Sequence, residues 1–297
     1  MKGLSEHTVL MNAMIGLCVP THGWPHPLKD LGFLVDSIEP IVATEDGRKV
    51  NPDLILTSNK LTHALVVECK GGYEINEHRK NEIDDQAERY SKVSNNLLAY
   101  KIKIHDYRRL THDMTYVTND KIAEFIKEYG YPILVFERDK LYKINSFSKE
   151  TLNSKFSSEI SIKNPPPTHF FPFNDNDNLS LIALYVFQKL VKFALKARED
   201  SLEFDEDMIL KSIFGAYWKN IHETKKTRLR KKVRDILNEY SKNKELKGYL
   251  EKVKDRRSWR VTKSLEAFRK GCQKIIEDLE KQRRLDEYPV GVENEPY

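Results

Sequence analysis

Three side chains that could take part in catalysis lie in the segment NPDLILTSNKLTHALVVECKGG. Asp53 is near its start, and Glu68 and Lys70 follow an apolar run near its end. Because side chains alternate along a strand, Glu68 and Lys70 point to one face and Cys69 to the other. Two charges on one face of an apolar strand are costly to bury without a partner or a metal ion. This arrangement indicates a chemical role.

The chemistry that suits this set is hydrolysis of a phosphodiester. That reaction needs charge neutralised on the phosphoryl oxygens and a nucleophile made from water, and a divalent ion supplies both. Oxygen ligands suit Mg²⁺ or Mn²⁺, and Asp53 and Glu68 provide them. Lys70 would lie near the attacking water and stabilise the developing charge. Lysine is suited to this role because its pKa responds to its surroundings.

The arrangement P-D, fourteen residues, E-C-K resembles the motif of the PD-(D/E)XK nuclease superfamily, which has the restriction-endonuclease-like fold. The resemblance covers roughly residues 1–147. Gln86 and Tyr90 add a Q-x-x-x-Y pattern similar to that of RecB-type nucleases, and an i, i+4 pair projects from one helix face. The resemblance implies that Asp53, Glu68 and the backbone carbonyl of Cys69 hold the metal ion.

The same resemblance implies roles for residues around the motif. Glu6, on the first predicted helix, is the candidate for an extra carboxylate that holds a second ion or a metal-bound water. Gln86 would orient substrate or water, and Tyr90 would support the site by packing. Other interpretations stay open: Glu6 as a helix N-terminal charge, Asp53 as a turn residue, or a retained fold with an inactive site. The Glu68 and Lys70 side chains could also form an exposed cross-strand pair.

The elements around the motif predict an α/β fold with a mixed sheet, as in a restriction-endonuclease-like core. A helix between strands implies a crossover, with helices covering the faces of the sheet. His63, just before the central strand, is predicted to be an exposed turn residue. The predicted elements are a helix at 5–17, strands at 34–43, 53–56 and 64–70, a helical segment at 76–100, a strand at 114–118, a helix at 121–129 and a strand pair in PILVFERDKLYKI.

Composition predicts the domain boundaries. A Pro-rich segment such as NPPPTHFFPF is a natural boundary between domains. The predicted parts are a nuclease domain at 1–148, a Pro/Asn/Ser-rich linker at 149–177, a basic winged-helix-like domain at 178–286 and a tail at 287–297.

The C-terminal part is strongly basic. Residues 219–285 hold 23 Lys/Arg and 10 Asp/Glu, whereas the whole chain has a net charge of only +5. A basic helix, a hairpin around DRRS and a final helix resemble a winged helix, in which one helix enters the major groove and the wing touches the backbone. A lysine-rich solvated surface or a protein-docking bundle is the alternative. The predicted DNA-binding residues are Lys225, Lys226, Arg228, Arg230, Lys231, Arg256, Arg257 and Arg260.

Several classes of protein are disfavoured by composition. Three widely spaced cysteines support no zinc site and suit a reducing compartment. No secretory signal or membrane-length apolar run is evident, so a cytoplasmic location is expected. No phosphate-binding glycine loop is present, so no nucleotide cofactor is indicated.

The sequence therefore predicts an Mg²⁺- or Mn²⁺-dependent DNA endonuclease of restriction, phage defence or DNA processing. By resemblance, hydrolysis would leave 5′-phosphate and 3′-hydroxyl ends. One alternative is the end-cutting subunit of a heteromeric transposase, although that group usually has Gln where this chain has Glu68. Holliday-junction resolution is a weaker alternative, and a DNA-binding regulator or assembly subunit is the non-enzymatic one. A homodimer, with residues 179–197 as the contact, or a protein partner would license cutting of both strands.

Overall fold

The computed structural model describes residues 4–72, 76–162, 166–197, 201–253, 256 and 258–287, without the side chains of 284–287. The chain divides into two compact units. The sheet unit is built from Ser5–Pro172 and Lys219–Glu223, and the helical unit from Phe173–Trp218 and the chain from Thr224 onward. Within the described ranges, each helix is too short or too polar to span a bilayer.

The sheet unit combines helices and strands, with short 3-10 turns at Tyr107–Arg109 and Lys127–Tyr129. Its elements are α1 (Glu6–Gly16), α2 (Pro27–Asp30), β1 (Phe33–Ile38), β2 (Val42–Ala43), β3 (Lys49–Val50), β4 (Leu54–Ser58), β5 (His63–Lys70), α3 (Glu77–Tyr90), α4 (Asn95–Ala99), β6 (Thr111–Thr118), α5 (Asp120–Ile126), β7 (Ile133–Glu137), β8 (Lys140–Ile144), α6 (Glu150–Lys155) and β9 (Ile160–Ser161).

A seven-stranded sheet in the order β1-β4-β5-β6-β7-β8-β9 forms the centre of this unit. Strands β5, β6 and β7 are parallel, and the remaining neighbours are antiparallel. Helices α3 and α4 lie in the connection between β5 and β6, because two parallel strands need a crossover. The predicted α/β class with a mixed sheet is confirmed.

Helix α1 is buried on nearly all sides. Its N-terminus is capped by the Ser5 hydroxyl, which accepts a hydrogen bond from the Thr8 amide at 3.2 Å. The helix begins at Glu6, whose carboxylate stands in the first turn. Every residue from Leu10 to Gly16 is buried, so this part of α1 lies inside the core, while Glu6 and His7 in its first turn remain partly accessible.

Residues 149–177 differ from the linker that their composition predicts. They contribute α6 and the edge strand β9, and Phe171 is fully buried. The buried Asn12 side chain donates to the Phe171 carbonyl at 2.7 Å and accepts from its amide at 2.9 Å. Apolar side chains in this Pro-rich segment explain the difference, because they gain more from burial than the segment loses in conformational freedom.

The segment Lys219–Glu223 returns to the edge of the large sheet. Ile221 bridges Ile38 of β1 in parallel, and the His222 amide donates to the Ile38 carbonyl at 3.0 Å. The Asn220 side chain donates to the carbonyls of Val35 and Asp36 at 2.7 and 2.8 Å. The segment covers backbone groups that an edge strand would otherwise expose.

The helical unit combines long helices with a small antiparallel sheet in the order β10-β12-β11. The predicted hairpin is present as β11 and β12, and β10 adds a third strand that the sequence pattern does not indicate. The elements are α7 (Leu179–Lys196), β10 (Leu202–Asp205), α8 (Glu206–Phe214), α9 (Glu223–Tyr240), β11 (Leu250–Lys252), β12 (Ser258–Val261) and α10 (Leu265–Glu287).

Candidate active site

The end of β5 brings two charged side chains onto the face covered by α3. Ala64 and Val66 pack into the core on this face, and Glu68 and Lys70 continue the same alternation. Glu68 is 6% exposed, and the Lys70 ammonium lies 2.9 Å from its Oε1. The two side chains form a largely buried pair and not the exposed cross-strand pair that was the alternative.

Asp53 lies beside this pair because β4 and β5 are antiparallel neighbours. Its amide donates to the Val67 carbonyl at 3.0 Å, and its Oδ2 accepts from the Cys69 amide at 2.7 Å. Asp53 is 7% exposed. The carboxylate is thereby held at the end of β5, against the Cys69 amide.

Helix α3 covers the site and contributes two side chains to it. Gln86 Oε1 accepts a hydrogen bond from the Lys70 ammonium. One turn later, the buried Tyr90 hydroxyl donates to Glu68 Oε2 at 2.7 Å. The predicted i, i+4 pair therefore reaches both members of the Glu68–Lys70 pair, and Tyr90 contributes a hydrogen bond as well as packing.

The electrostatics of the site disfavour a second negative charge. Burial and then the Asp53 charge raise the pKa of Glu68, against the opposing effects of Lys70 and the Tyr90 hydroxyl. Burial also raises the pKa of the Cys69 thiol and of the Tyr90 hydroxyl well above their ordinary values. Cys69 is therefore a protonated core residue and not a nucleophile, and Tyr90 remains a hydrogen-bond donor.

Glu6 reaches the loop that follows β5 and not the carboxylates. Its carboxylate accepts from the Gly72 amide and, at 2.8 Å, from the Asn119 side chain. Gly71 allows this approach, since a Cβ there would lie 2.9 Å from the Glu6 Cβ. Gly72 has a φ of +99°, which favours glycine. The structure thus explains the Gly-Gly pair, while a metal-binding role for Glu6 stays a prediction.

His7 and Glu39 are the site residues that sequence reasoning missed. His7 Nε2 lies 2.8 Å from Asp53 Oδ1. Burial lowers the pKa of His7, but the Asp53 charge and hydrogen bond, together with the charges of Glu68 and Glu39, raise it above its ordinary value. Glu39 is 6% exposed, and its amide donates to the Asp53 carbonyl at 2.8 Å. No motif marks either residue; the only signal for His7 is its position after Glu6.

The donor set suits a hard divalent cation. Asp53 and Glu68 are neighbouring buried carboxylates, and the Asp53 charge raises the pKa of Glu68. The Cys69 carbonyl directly follows Glu68 in the sequence. Among the residues that the structure describes, each carboxylate oxygen has one hydrogen-bond partner and retains further acceptor capacity. Such oxygen ligands are those that Mg²⁺ and Mn²⁺ prefer. Within the described ranges, no three His, Cys, Asp or Glu side chains are grouped to hold a metal by themselves, so backbone or water oxygens would complete the shell.

His63 is not the exposed turn residue predicted. It is fully buried at the start of β5, with Nδ1 2.8 Å from Thr111 Oγ1 and Nε2 3.2 Å from Asp113 Oδ2. The parallel pairing of β5 with β6 places Thr111 directly opposite it. The imidazole is a structural link between the two strands.

Many of the basic side chains of α9 are engaged within the helical unit. Lys225 is 2% exposed and bonds Asn174 and Asp175. The prediction that Lys225 contacts phosphate is therefore wrong, because its ammonium is buried against the Asp175 carboxylate. Arg228 also pairs with Asp175, at 2.8 Å, but its side chain is 47% exposed.

The other predicted DNA-binding residues differ in their surroundings. Arg230 lies 3.0 Å from Asp207, and Lys226 stands over the Trp218 ring. Lys231 is exposed on α9. In the hairpin, Arg256 and Arg260 lie 3.8 and 3.1 Å from Glu203, with side chains 70% and 51% exposed. Arg257 lies outside the described residues.

Comparisons with known proteins identify relatives without assigning a reaction. Residues 6–171 match the MJECL32 domain, and residues 174–288 match a domain of unknown function, DUF8601. The chain is 24% identical over 238 residues to the uncharacterized protein MJECL32 of Methanocaldococcus jannaschii, a match that covers 69% of this chain and 51% of that protein. The chain thus spans about half the length of this relative. No solved structure matches it.

Proposed function

This chain belongs to the MJECL32 domain family, and we propose that it is a metal-dependent deoxyribonuclease that hydrolyses phosphodiester bonds. The observation that carries the proposal is the position of the Lys70 ammonium between Glu68 and Gln86, with Asp53 held against the Cys69 amide. Asp53, Lys70 and Gln86 are far apart in the sequence and are brought close to Glu68 by the fold, which supports the proposal. A structural ion pair would need neither Asp53 nor Gln86.

The metal would be held by Asp53, Glu68 and the Cys69 carbonyl oxygen. When bound, Mg²⁺ or Mn²⁺ would neutralise phosphoryl charge and lower the pKa of a coordinated water. His7, already bonded to Asp53, would orient that carboxylate, as outer hydrogen bonds orient metal ligands.

Lys70 and Gln86 would act on the substrate. The Lys70 ammonium, fixed by Glu68 and Gln86, would stabilise negative charge on the attacking oxygen and on the phosphoryl group. Gln86 accepts from Lys70 through its oxygen, so its amide nitrogen would orient substrate or water. Tyr90 would hold Glu68 in position through its hydroxyl.

The helical unit would bind DNA as a winged helix. Its order of helix, strand, helix, basic helix and hairpin supports this assignment, which places α9 in the major groove. The exposed Arg228 and Lys231 are the leading phosphate contacts on α9, and Arg256 and Arg260 those on the wing. With Lys226 and Arg230 they make six cations, which would give a slope of about −5 in log affinity against log salt.

The test is cleavage of supercoiled plasmid in Mg²⁺ or Mn²⁺, with gel-shift binding measured in parallel. Lys70→Ala should lower the cleavage rate by about 10²- to 10³-fold and leave binding intact. Lys49→Ala, an exposed lysine on β3, is the matched control and should cleave like the wild type. Equal nicking by the Lys70→Ala variant would indicate a contaminating nuclease, and binding without any cleavage would favour a regulator.

The biological setting that we propose is restriction, phage defence or DNA processing. A separate DNA-binding unit suits target-directed cutting. Sequencing the ends of cleaved DNA would separate these uses, because restriction gives a fixed site and end processing gives a fixed distance from an end.

A further inference from the structure

Two exposed tyrosines border a cleft on the sheet unit, away from the carboxylates. Tyr100 is 87% exposed and Tyr107 56%. The cleft has a volume of about 570 Å³, and Asn96 and Ala99 complete its lining. Tyrosine normally buries its ring and leaves only the hydroxyl in water, so two exposed rings across one cleft call for a ligand. These four residues are called the tyrosine cleft.

The segment that carries the rings is fixed to the fold. The Lys103 amide donates to Asp36 Oδ1 at 2.9 Å, and the His105 amide donates to Asn59 Oδ1 at 3.0 Å. Ile104 and Leu110 are buried on either side of the 3-10 turn. The rings therefore project from an anchored loop, which lowers the entropic cost of ordering them around a ligand.

The charge around the cleft specifies an anionic ligand. Residues 100–109 contain four Lys/Arg and one Asp, and all four cations are exposed. Arg109 lies 3.6 Å from that aspartate, Asp106, in a pair that water surrounds. Cations that track a phosphate backbone, interleaved with aromatic rings that stack on bases, are the means by which proteins bind single-stranded nucleic acid.

The cleft lies on the same face of the sheet as the candidate active site. Leu98, Ile104 and Leu110 pack in one core cluster with Val66 and Tyr90, which flank the charged pair. The register of β5 and β6 gives the distance between the end of this loop and the candidate active site.

Thr111 follows this loop and pairs with His63 at the start of β5. Glu68 and Lys70 come five and seven residues later. At about 3.3 Å per residue, Glu68 and Lys70 lie roughly 16 to 23 Å from His63 along the strand.

We propose that the tyrosine cleft binds an unpaired nucleobase of the DNA strand that is cut, several nucleotides from the scissile phosphate. Tyr100 and Tyr107 stack on the base, the surrounding cations contact flanking phosphates, and the Asn96 amide meets the base edge. The occupant is single-stranded because the bases of a duplex are already stacked on both faces. This inference rests on the proposed nuclease function and makes single-stranded or forked DNA the preferred substrate.

The first test measures binding of the full-length protein to a fluorescein-labelled single-stranded oligonucleotide in EDTA, where no cleavage occurs. Tyr100→Ala and Tyr107→Ala should each weaken binding by about five-fold or more, the lower end for loss of one base stack. Tyr100→Phe and Tyr107→Phe keep the rings and should bind like the wild type. A duplex of the same length should bind all five proteins equally. Unchanged single-strand affinity in both alanine variants would overturn the inference.

The second test locates the contact. An oligonucleotide with 5-iodouracil at successive positions is cross-linked to the protein by light, and the attached peptide is identified by mass spectrometry. Cross-links within residues 96–109, strongest at positions several nucleotides from the mapped cut, are expected. Cross-links confined to other segments would overturn the inference. Sedimentation that depends on Tyr100, with no change in DNA binding, would assign the cleft to a protein contact.

Failure of the two proposals looks different. If the wild type cleaves no DNA in any metal, the nuclease proposal fails. If the wild type cleaves DNA, and the two alanine variants cleave single-stranded and forked substrates as fast as the wild type does, only the cleft inference fails.

Discussion

Glu68 in the sheet unit and Asp175 in the helical unit are both buried carboxylates that accept a hydrogen bond from a lysine. Their pKa values nevertheless shift in opposite directions. For Glu68, burial and the Asp53 charge prevail over Lys70, and the pKa rises. For Asp175, burial is outweighed by Lys225 and by the Arg228 charge, and the pKa falls.

The difference is the one expected between a structural ion pair and the proposed active site. Asp175 has two cationic neighbours, so its charge is fully compensated within the fold. Glu68 has one ammonium neighbour, that of Lys70, and lies beside a second carboxylate, Asp53, whose charge raises the pKa of Glu68. A divalent cation would offset the charge of both carboxylates. Buried groups whose pKa is displaced by like charge cluster at functional sites.

The largest expected effect on stability comes from breaking the structural pair. Asp175→Asn should lower the free energy of unfolding by about 3–5 kcal/mol, because Lys225 would remain buried without its counter-charge. Urea unfolding followed by tryptophan fluorescence measures it. Asp207→Asn, which breaks the more exposed pair with Arg230, is the control and should cost about 1 kcal/mol or less. Equal losses in the two variants would show that the burial of Lys225 carries no special cost.

At the candidate active site, removing a charge is expected to stabilise the fold. Glu68→Gln should raise the free energy of unfolding by about 1 kcal/mol, because it removes one of two neighbouring negative charges. Substitutions in a functional site commonly stabilise a protein by this amount. The same variant should lose plasmid cleavage. A loss of stability comparable to that of Asp175→Asn would mean that Glu68 is a structural residue and would end the contrast.

The two carboxylates should also respond differently to pH. The cost of ionising Glu68 applies above its raised folded pKa, so the advantage of Glu68→Gln should shrink as pH falls toward the ordinary value of 4.5. The contribution of Asp175 is fully present above its ordinary value of 3.8 and is lost as pH falls through its lowered folded pKa. Unfolding free energies of wild type and variants, compared across this range, measure both. A Glu68→Gln advantage that is independent of pH would refute the linkage.

The smallest effect concerns two lysines of α9. Lys231→Ala should make the slope of log affinity against log salt shallower by about 1 for duplex DNA, because one phosphate contact is lost. Lys225→Met should leave the slope unchanged and lower stability, since Lys225 is buried. Anisotropy titrations at several salt concentrations measure the slopes. If Lys231→Ala kept the wild-type slope, α9 would not be the DNA-contacting helix.

Residues close in sequence determined much of this protein. The alternation of β5 alone places Glu68 and Lys70 on one face, and the spacing of Gln86 and Tyr90 along one helix presents them together, because both patterns follow from backbone geometry. The apolar periodicity of the chain likewise predicts the mixed sheet and the helices that cover it.

Only the tertiary structure decided which distant groups meet. Three contacts join residues that lie tens to more than a hundred positions apart in the sequence. They are His7 with Asp53, the buried Lys225 with Asp175, and the Phe171 amide with the Asn12 side chain. Local composition indicated a DNA contact at Lys225 and a linker at Phe171, and it indicated nothing at His7. Composition describes what a residue prefers on average, whereas burial is decided by what the rest of the chain packs against it.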